Sequence, residues 1–132
     1  MKKIYKRNKV VVWGLLILVL IIAGLIYNKV TAVDGEFDEF ARCINNSGTK
    51  FYGTFWCEHC KNQKEEFGKS AKYLPYIECS IPNGQGTNLV CLNANIEGYP
   101  TWEFPDGTRE SGELSLEFLA ERTSCSLPGQ DI

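Results

Sequence analysis

The stretch Thr54–Phe67, TFWCEHCKNQKEEF, sets Cys57 and Cys60 two residues apart, between an aromatic run and a polar one. A pair at this spacing serves as a metal clip, a structural staple or a redox centre, and the local structure and the compartment decide which. Upstream, Lys50–Phe55 (KFYGTF) reads as a strand that leads directly into the pair. Downstream, Glu58 to about Tyr73 reads as a helix, with Gly68 a weak point and Pro75 a stop. Cys57 therefore falls at a helix N-terminus, where unpaired backbone N–H groups and the positive end of the helix dipole stabilise an anion. A thiolate is such an anion, and the thiolate is the form that attacks disulfides.

Cys57 is accordingly the expected nucleophile, placed at the surface, and Cys60, one turn further in, the more shielded resolving thiol. His59 is the only histidine of the chain, and its cationic form close to the sulfur would favour the thiolate in the same sense. A surface histidine without a role is the alternative for this residue. Glu58 acts the other way, since a carboxylate beside Cys57 disfavours a neighbouring thiolate. Structural zinc usually draws on two close pairs, whereas the next cysteines stand singly at 79 and 91. Haem attachment needs a histidine at position 61, which is lysine. A purely structural bond across two residues closes a tiny loop and confers little stability. The redox reading leads, and it requires no metal and no cofactor.

The N-terminus sets the compartment. The chain has 132 residues, and from Val10 to Ile26 (VVVWGLLILVLIIAGLI) there is no charge; with Tyr27 the run approaches the roughly 20 residues that span hydrocarbon. Lys2, Lys3, Lys6, Arg7 and Lys9 precede it, and Lys29 is followed by Asp34, Glu36, Asp38 and Glu39. The positive-inside rule then leaves residues 1–9 as a basic cytoplasmic tail, makes 10–27 a single transmembrane helix and carries the rest across the membrane. A cleaved signal peptide shares the basic start and apolar centre, although this apolar run exceeds the usual h-region. Both readings export the domain, which is acidic: residues 30–132 hold eight Lys/Arg against sixteen Asp/Glu. That balance excludes a nucleic-acid partner. All six cysteines lie in the exported part, where disulfides persist.

Along that part, 28–35 is a tether and 36–46 a helix, from the spacing of Phe37, Phe40, Ala41 and Ile44. Tyr76–Cys79 reads as a brief strand, Leu89 to Ile96 as a short helix and Thr101–Phe104 as a strand. Asp106-Gly107 is a hairpin turn, Thr108–Ser111 its return strand and Ser115 to about Thr123 a last helix. Residues 126–132 form a polar, flexible tail. The result is two strand-helix units followed by a hairpin and a covering helix. Cys79 and Cys91, separated by eleven residues, are expected to form a second disulfide.

Gly98-Tyr99-Pro100-Thr101 precedes the third strand, and a cis peptide there would expose neighbouring backbone to an extended substrate. With these residues in place, 36–125 resembles the thioredoxin superfamily, most closely the thioredoxin-like domain fused to bacterial and plant homologues of vitamin K epoxide reductase. The segments that carry the resemblance are FARC, KFYGTFWCEHCKNQKEEFG, YIEC, EGYPTWEFPDG and SGELSLEFLAE. It implies an α/β thioredoxin-like fold, a central mixed sheet flanked by helices, here preceded by one N-terminal transmembrane helix. It further implies a cis Pro100, Cys57 as nucleophile, Cys60 as resolving thiol, and Trp56, Tyr99 and Pro100 as substrate-contacting residues. In that fold the first and last helices normally lie on opposite sheet faces, so no bond is expected between Cys43 and Cys125.

Two departures from the family pattern stand out. The buried acid that many relatives carry six residues before the first active-site cysteine is Phe51 here. The quinone-reducing membrane domain of the fused proteins has no counterpart in these residues, so the expected electron acceptor is a separate, vitamin K epoxide reductase-like membrane partner. The expected function is that of a membrane-anchored thiol-disulfide oxidoreductase acting as oxidant of exported cysteine-containing proteins. The same parts run in reverse as a reductase or isomerase, for instance in cytochrome maturation, and a non-catalytic binding module is the alternative from another class.

Overall fold

Phe51 and Trp102 organise the sheet. In the computed structural model, β1 (Lys50–Gly53) pairs in parallel with β2 (Tyr76–Glu78) and antiparallel with β3 (Thr101–Glu103), and β4 (Arg109–Ser111) flanks β3, giving the order β2-β1-β3-β4. The structure describes residues 2–31, 34–84 and 86–129, of which 2–8, 10 and 28–31 are described in their backbone alone. Phe51 and Trp102 are register partners whose rings stack with centroids 4.3 Å apart. Both are fully buried. Their cluster takes in Phe40, Ala41 and Ile44 of α2 (Asp38–Asn46), Cys60 of α3 (Glu58–Glu66) and Leu119 of α5 (Leu116–Thr123). Because successive strand residues point to opposite faces, Tyr52 belongs to the other side. There it packs with Cys79, Ile96 and Cys91, the last from α4 (Leu89–Asn93). A central mixed sheet flanked by helices is the arrangement that the family resemblance implies.

The predicted helix 58–73 is two elements. α3 ends at Glu66, Gly68 adopts φ +52°, and a 3₁₀ helix continues over Gly68–Tyr73. A left-handed residue interrupts the α ladder, and glycine accepts that conformation without steric cost. The new direction brings Ser70 to α2, where its Oγ accepts the Phe37 N–H at 3.1 Å.

The absence of a Cys43–Cys125 bond is corrected: the two are disulfide-bonded, with Cα atoms 5.8 Å apart. α2 and α5 contact each other and share the Phe51 side of the sheet, so the opposite-face argument does not hold for this chain. Ser124, the C-cap of α5, sits at φ +56° and reverses the chain, and the Cys125 N–H then donates to Ala120 O at 3.1 Å. This turn lays Cys125 back onto the core. Leu127 follows it into the same cluster, so packed structure extends beyond 125 into the expected tail. Residues 130–132 of that tail lie outside the described residues.

Residues 1–33 make a separate unit, in which α1 runs as one helix over Lys2–Thr31. At 1.5 Å per residue that is about 45 Å. Its described apolar side chains are exposed within the chain. Among the described residues no helix is long and apolar enough to cross a membrane. The side chains described within the uncharged run are those of 11–27, whereas the run in the sequence begins one residue earlier, at Val10. Of the expected tether, 28–31 continue the helix, and 32 and 33 lie outside the described residues.

Candidate redox-active site

β1 delivers the chain to α3 through Thr54-Phe55-Trp56, and Cys57 becomes the N-cap of α3 with φ −78° and ψ 117°. Its Sγ accepts the Cys60 N–H at 3.1 Å, so one of the helix's unpaired donors already points at the sulfur. The two cysteines are bonded to each other. Cys57 is 7 % exposed and Cys60 1 %, which corrects the expected surface position of Cys57. The capping geometry turns its sulfur inward, toward the helix N–H and its partner. Cys57 is nevertheless the more open of the pair.

Gly53 explains how Cys60 fits beneath the sheet. A Cβ at 53 would stand 3.0 Å from Cys60 Sγ and 2.7 Å from Tyr76 Cε2, closer than packed carbon and sulfur atoms approach. Alanine at 53 is therefore expected to cost about 1–3 kcal/mol through overpacking, seen as a lower denaturation midpoint of the oxidised protein. An unchanged midpoint would mean that Tyr76 and Cys60 can part without loss.

Beside this gap lies a group of ionisable side chains. The Tyr76 hydroxyl donates to Glu78 Oε2 at 3.0 Å, while Glu78 Oε1 accepts the Phe55 N–H at 3.2 Å and the Ser80 hydroxyl at 2.6 Å. Burial alone would raise the Glu78 pKa, but the hydrogen bonds from Ser80, Tyr76 and Phe55 outweigh it and lower the value. Burial, and then the bond to Glu78, push the Tyr76 hydroxyl up. Lys64 Nζ lies 3.1 Å from the centroid of the Tyr76 ring, and burial lowers its pKa. Sequence reading singled out none of these three, since each looks like an ordinary polar residue in its own segment.

His59 is exposed, and its Nδ1 lies 2.6 Å from Glu113 Oε1. Asn62 donates to the same oxygen at 3.1 Å. These two bonds, that of His59 first, hold the Glu113 carboxyl below the usual carboxylate range. Glu113 went unnoticed in the sequence, where nothing marks a lone acid after β4 as a partner of α3. Gln63 was missed as well. It is fully buried, and its amide pairs with the Leu114 peptide while its Oε1 also accepts the Trp102 indole N–H at 3.3 Å. A glutamine within KNQKEE gives no sign of that burial.

The Tyr99–Pro100 peptide is cis, and Pro100 is buried. The Tyr99 ring meets Trp56 edge-on with centroids 6.2 Å apart, and its hydroxyl is 3.1 Å from Thr87 Oγ1. Trp56 and Phe55 remain exposed, which leaves an aromatic rim beside Cys57. The structure thus gathers Cys57, Cys60, His59, Trp56, Tyr99 and Pro100 at one end of the sheet. Cys79 and Cys91 lie elsewhere: bonded, with Cα atoms 5.5 Å apart, they pin α4 to the end of β2 on the Tyr52 face.

No protein-family profile matches the chain. Thiol-disulfide oxidoreductase LTO1 of Arabidopsis thaliana is 49% identical over 92 residues, covering 66% of this chain and 24% of that protein. A protein disulfide-isomerase A6 homolog of Drosophila melanogaster is 28% identical over 95 residues, covering 68% of this chain and 22% of that protein. The domain from Asp34 onward belongs to the thioredoxin superfamily. The chain spans about a quarter of the length of these curated relatives. In this thioredoxin-superfamily domain, the position of the missing family acid holds Phe51, stacked on Trp102 and part of the apolar core. Ionisable groups beside Gly53, which itself lies against Cys60, come instead from β2 and α3.

Proposed function

We propose that the protein is a membrane-anchored, extracytoplasmic thiol-disulfide oxidoreductase that oxidises exported cysteine-containing proteins and is re-oxidised by a quinone-linked membrane partner. The observation that carries this reading is the Cys57–Cys60 disulfide capping α3 beside the cis Tyr99–Pro100 loop. A substrate thiolate attacks Cys57 Sγ, the Cys57–Cys60 bond breaks, and Cys60 leaves with the electron pair and takes up a proton. A second substrate thiolate then attacks the substrate sulfur of the mixed disulfide and releases Cys57. The substrate loses two electrons and two protons, and the pair gains them.

The names of both relatives, an oxidoreductase and a disulfide-isomerase, support the chemistry. The basic flank and the uncharged run of α1 support the anchor and the orientation. Tethering also raises the domain's effective concentration near a membrane oxidase. A reductase is the second reading, favoured by the carboxylates of Glu58 and Glu113 near the site, which work against a thiolate.

Acid trapping of thiols in growing cells, followed by fractionation, tests direction and anchoring together. The protein is expected in the membrane fraction with Cys57–Cys60 mostly oxidised, and deleting the quinone-linked oxidase is expected to shift the pair to thiols. Free thiols in the presence of that oxidase would assign the reductase. A soluble form starting near residue 33 would remove the anchor.

A further inference from the structure

Cys60 is a buried residue whose sulfur has to change its protonation state. It is 1 % exposed, yet its sulfur gains a proton when the Cys57–Cys60 bond opens and loses one when the bond re-forms. The Tyr76 hydroxyl borders this sulfur. A Cβ at Gly53 would stand 3.0 Å from Cys60 Sγ and 3.2 Å from the Tyr76 hydroxyl oxygen, so sulfur and hydroxyl face the same small space that the glycine leaves open. A direct hydrogen bond or one bridging water spans the separation this allows. The same hydroxyl donates to Glu78 Oε2 at 3.0 Å. Glu78 is exposed, and its other oxygen accepts the Ser80 hydroxyl at 2.6 Å, the Ser80 N–H at 3.0 Å and the Phe55 N–H at 3.2 Å. Sulfur, hydroxyl and carboxylate thus lead from the buried member of the pair to solvent.

Resting on the oxidoreductase reading above, we infer that Tyr76 and Glu78 carry the Cys60 proton, the Tyr76 hydroxyl passing it between the Cys60 sulfur and the Glu78 carboxylate. When Cys60 resolves a mixed disulfide on Cys57, its thiol proton moves to the Tyr76 oxygen as the hydroxyl's own proton moves to Glu78 Oε2. The Cys60 sulfur bonds to Cys57 Sγ, and the departing sulfur leaves with the electron pair. Opening of the disulfide runs the same transfers in reverse, and Glu78 exchanges its proton with water. The surroundings suit these roles. Hydrogen bonds from Ser80, Tyr76 and Phe55 outweigh burial and hold the Glu78 carboxyl below the usual range, so it is ionised and ready to accept at neutral pH. Burial, and then Glu78, keep the Tyr76 hydroxyl protonated between transfers. Lys64 of α3, with Nζ 3.1 Å from the Tyr76 ring centroid, and Phe51 of β1, with ring centroids 5.2 Å apart, hold the ring in place.

The test uses the full-length protein and its Tyr76→Phe variant, which keeps the ring and removes only the hydroxyl, without a change of charge. The reduced protein is mixed with oxidised glutathione, and formation of the mixed disulfide on Cys57 and its resolution by Cys60 are followed by acid quenching and intact mass. At neutral pH, Y76F is expected to slow resolution by roughly tenfold to a hundredfold, up to the lower end of what general acid–base catalysis contributes, so that the mixed disulfide accumulates. The deficit is expected to shrink at alkaline pH, where the Cys60 thiol ionises unaided. Resolution in the unmutated protein is expected to be slower in deuterium oxide, and both Y76F and Glu78→Gln are expected to lose that isotope effect. For E78Q the isotope effect is the readout, because removing a negative charge also eases ionisation of Cys60 and offsets the rate. Resolution by Y76F at the unmutated rate, no isotope effect in the unmutated protein, or an isotope effect kept in either variant would each overturn the inference. So would an equal slowing by Y76F of the reaction of Cys57 itself with oxidised glutathione, read in a Cys60→Ser background. An unmutated protein that forms no mixed disulfide would instead reject the oxidoreductase reading, so the two can be told apart.

Discussion

Serine at position 57 is expected to abolish disulfide exchange, lowering its rate with glutathione or a cysteine-containing peptide by roughly a thousandfold or more, as removal of a covalent nucleophile does. Cys60 cannot substitute, because it is 1 % exposed and covered by Gly53 of β1. Serine at position 60 is expected to behave differently. Cys57 still attacks, but the mixed disulfide lacks its internal resolving thiol and accumulates, which intact-mass measurement would detect. Exchange by C57S at the unmutated rate would move the protein into the class of binding modules that use the same surface without redox chemistry.

The second large effect is on stability. Removing the Cys43–Cys125 bond as the C43A/C125A double variant is expected to cost about 4.5 kcal/mol, from the loop-closure entropy of a sequence separation of 82. The Cys79–Cys91 bond, with a separation of 12, is worth about 3 kcal/mol on the same relation. Either is a large fraction of the roughly 5–15 kcal/mol by which a domain is ordinarily stable. Chemical denaturation of the two double variants is expected to rank them in this order. Equal losses, or a loss below about 1 kcal/mol for C43A/C125A, would show that the unfolded chain does not gain the freedom that the longer loop allows. The bond joins the two ends of the packed domain, so its loss is expected to free α2 and α5 together.

Much of the fold was legible because it is written in local patterns. Aromatic content located β1, Asn88 and Ser115 cap the starts of α4 and α5, and Asp106-Gly107 marked the turn between β3 and β4. Cys57 and Cys60 were legible for the same reason: a strand, a pair of cysteines and a helix are consecutive in the chain, and helix capping is a property of adjacent residues. Gly68 was visible as a weak point, though its consequence, a change from α to 3₁₀ helix, depends on how Ser70 meets α2.

What the sequence alone determined is thus the set of local elements, their order, the cysteine pair at the start of α3 and the acidic balance of the domain. The tertiary structure decided which distant residues meet. Six cysteines permit many pairings, and only the placement of α2 and α5 on one sheet face, with the chain reversed at Ser124, selects Cys43–Cys125. Gln63 and Glu113 acquire their roles in the same way, through partners 51 and 54 residues away, and Gly53 through Tyr76 of the next strand. Hydrogen bonds, close approaches and disulfides of that kind depend on three-dimensional separation, and a linear pattern carries local propensity but not that distance.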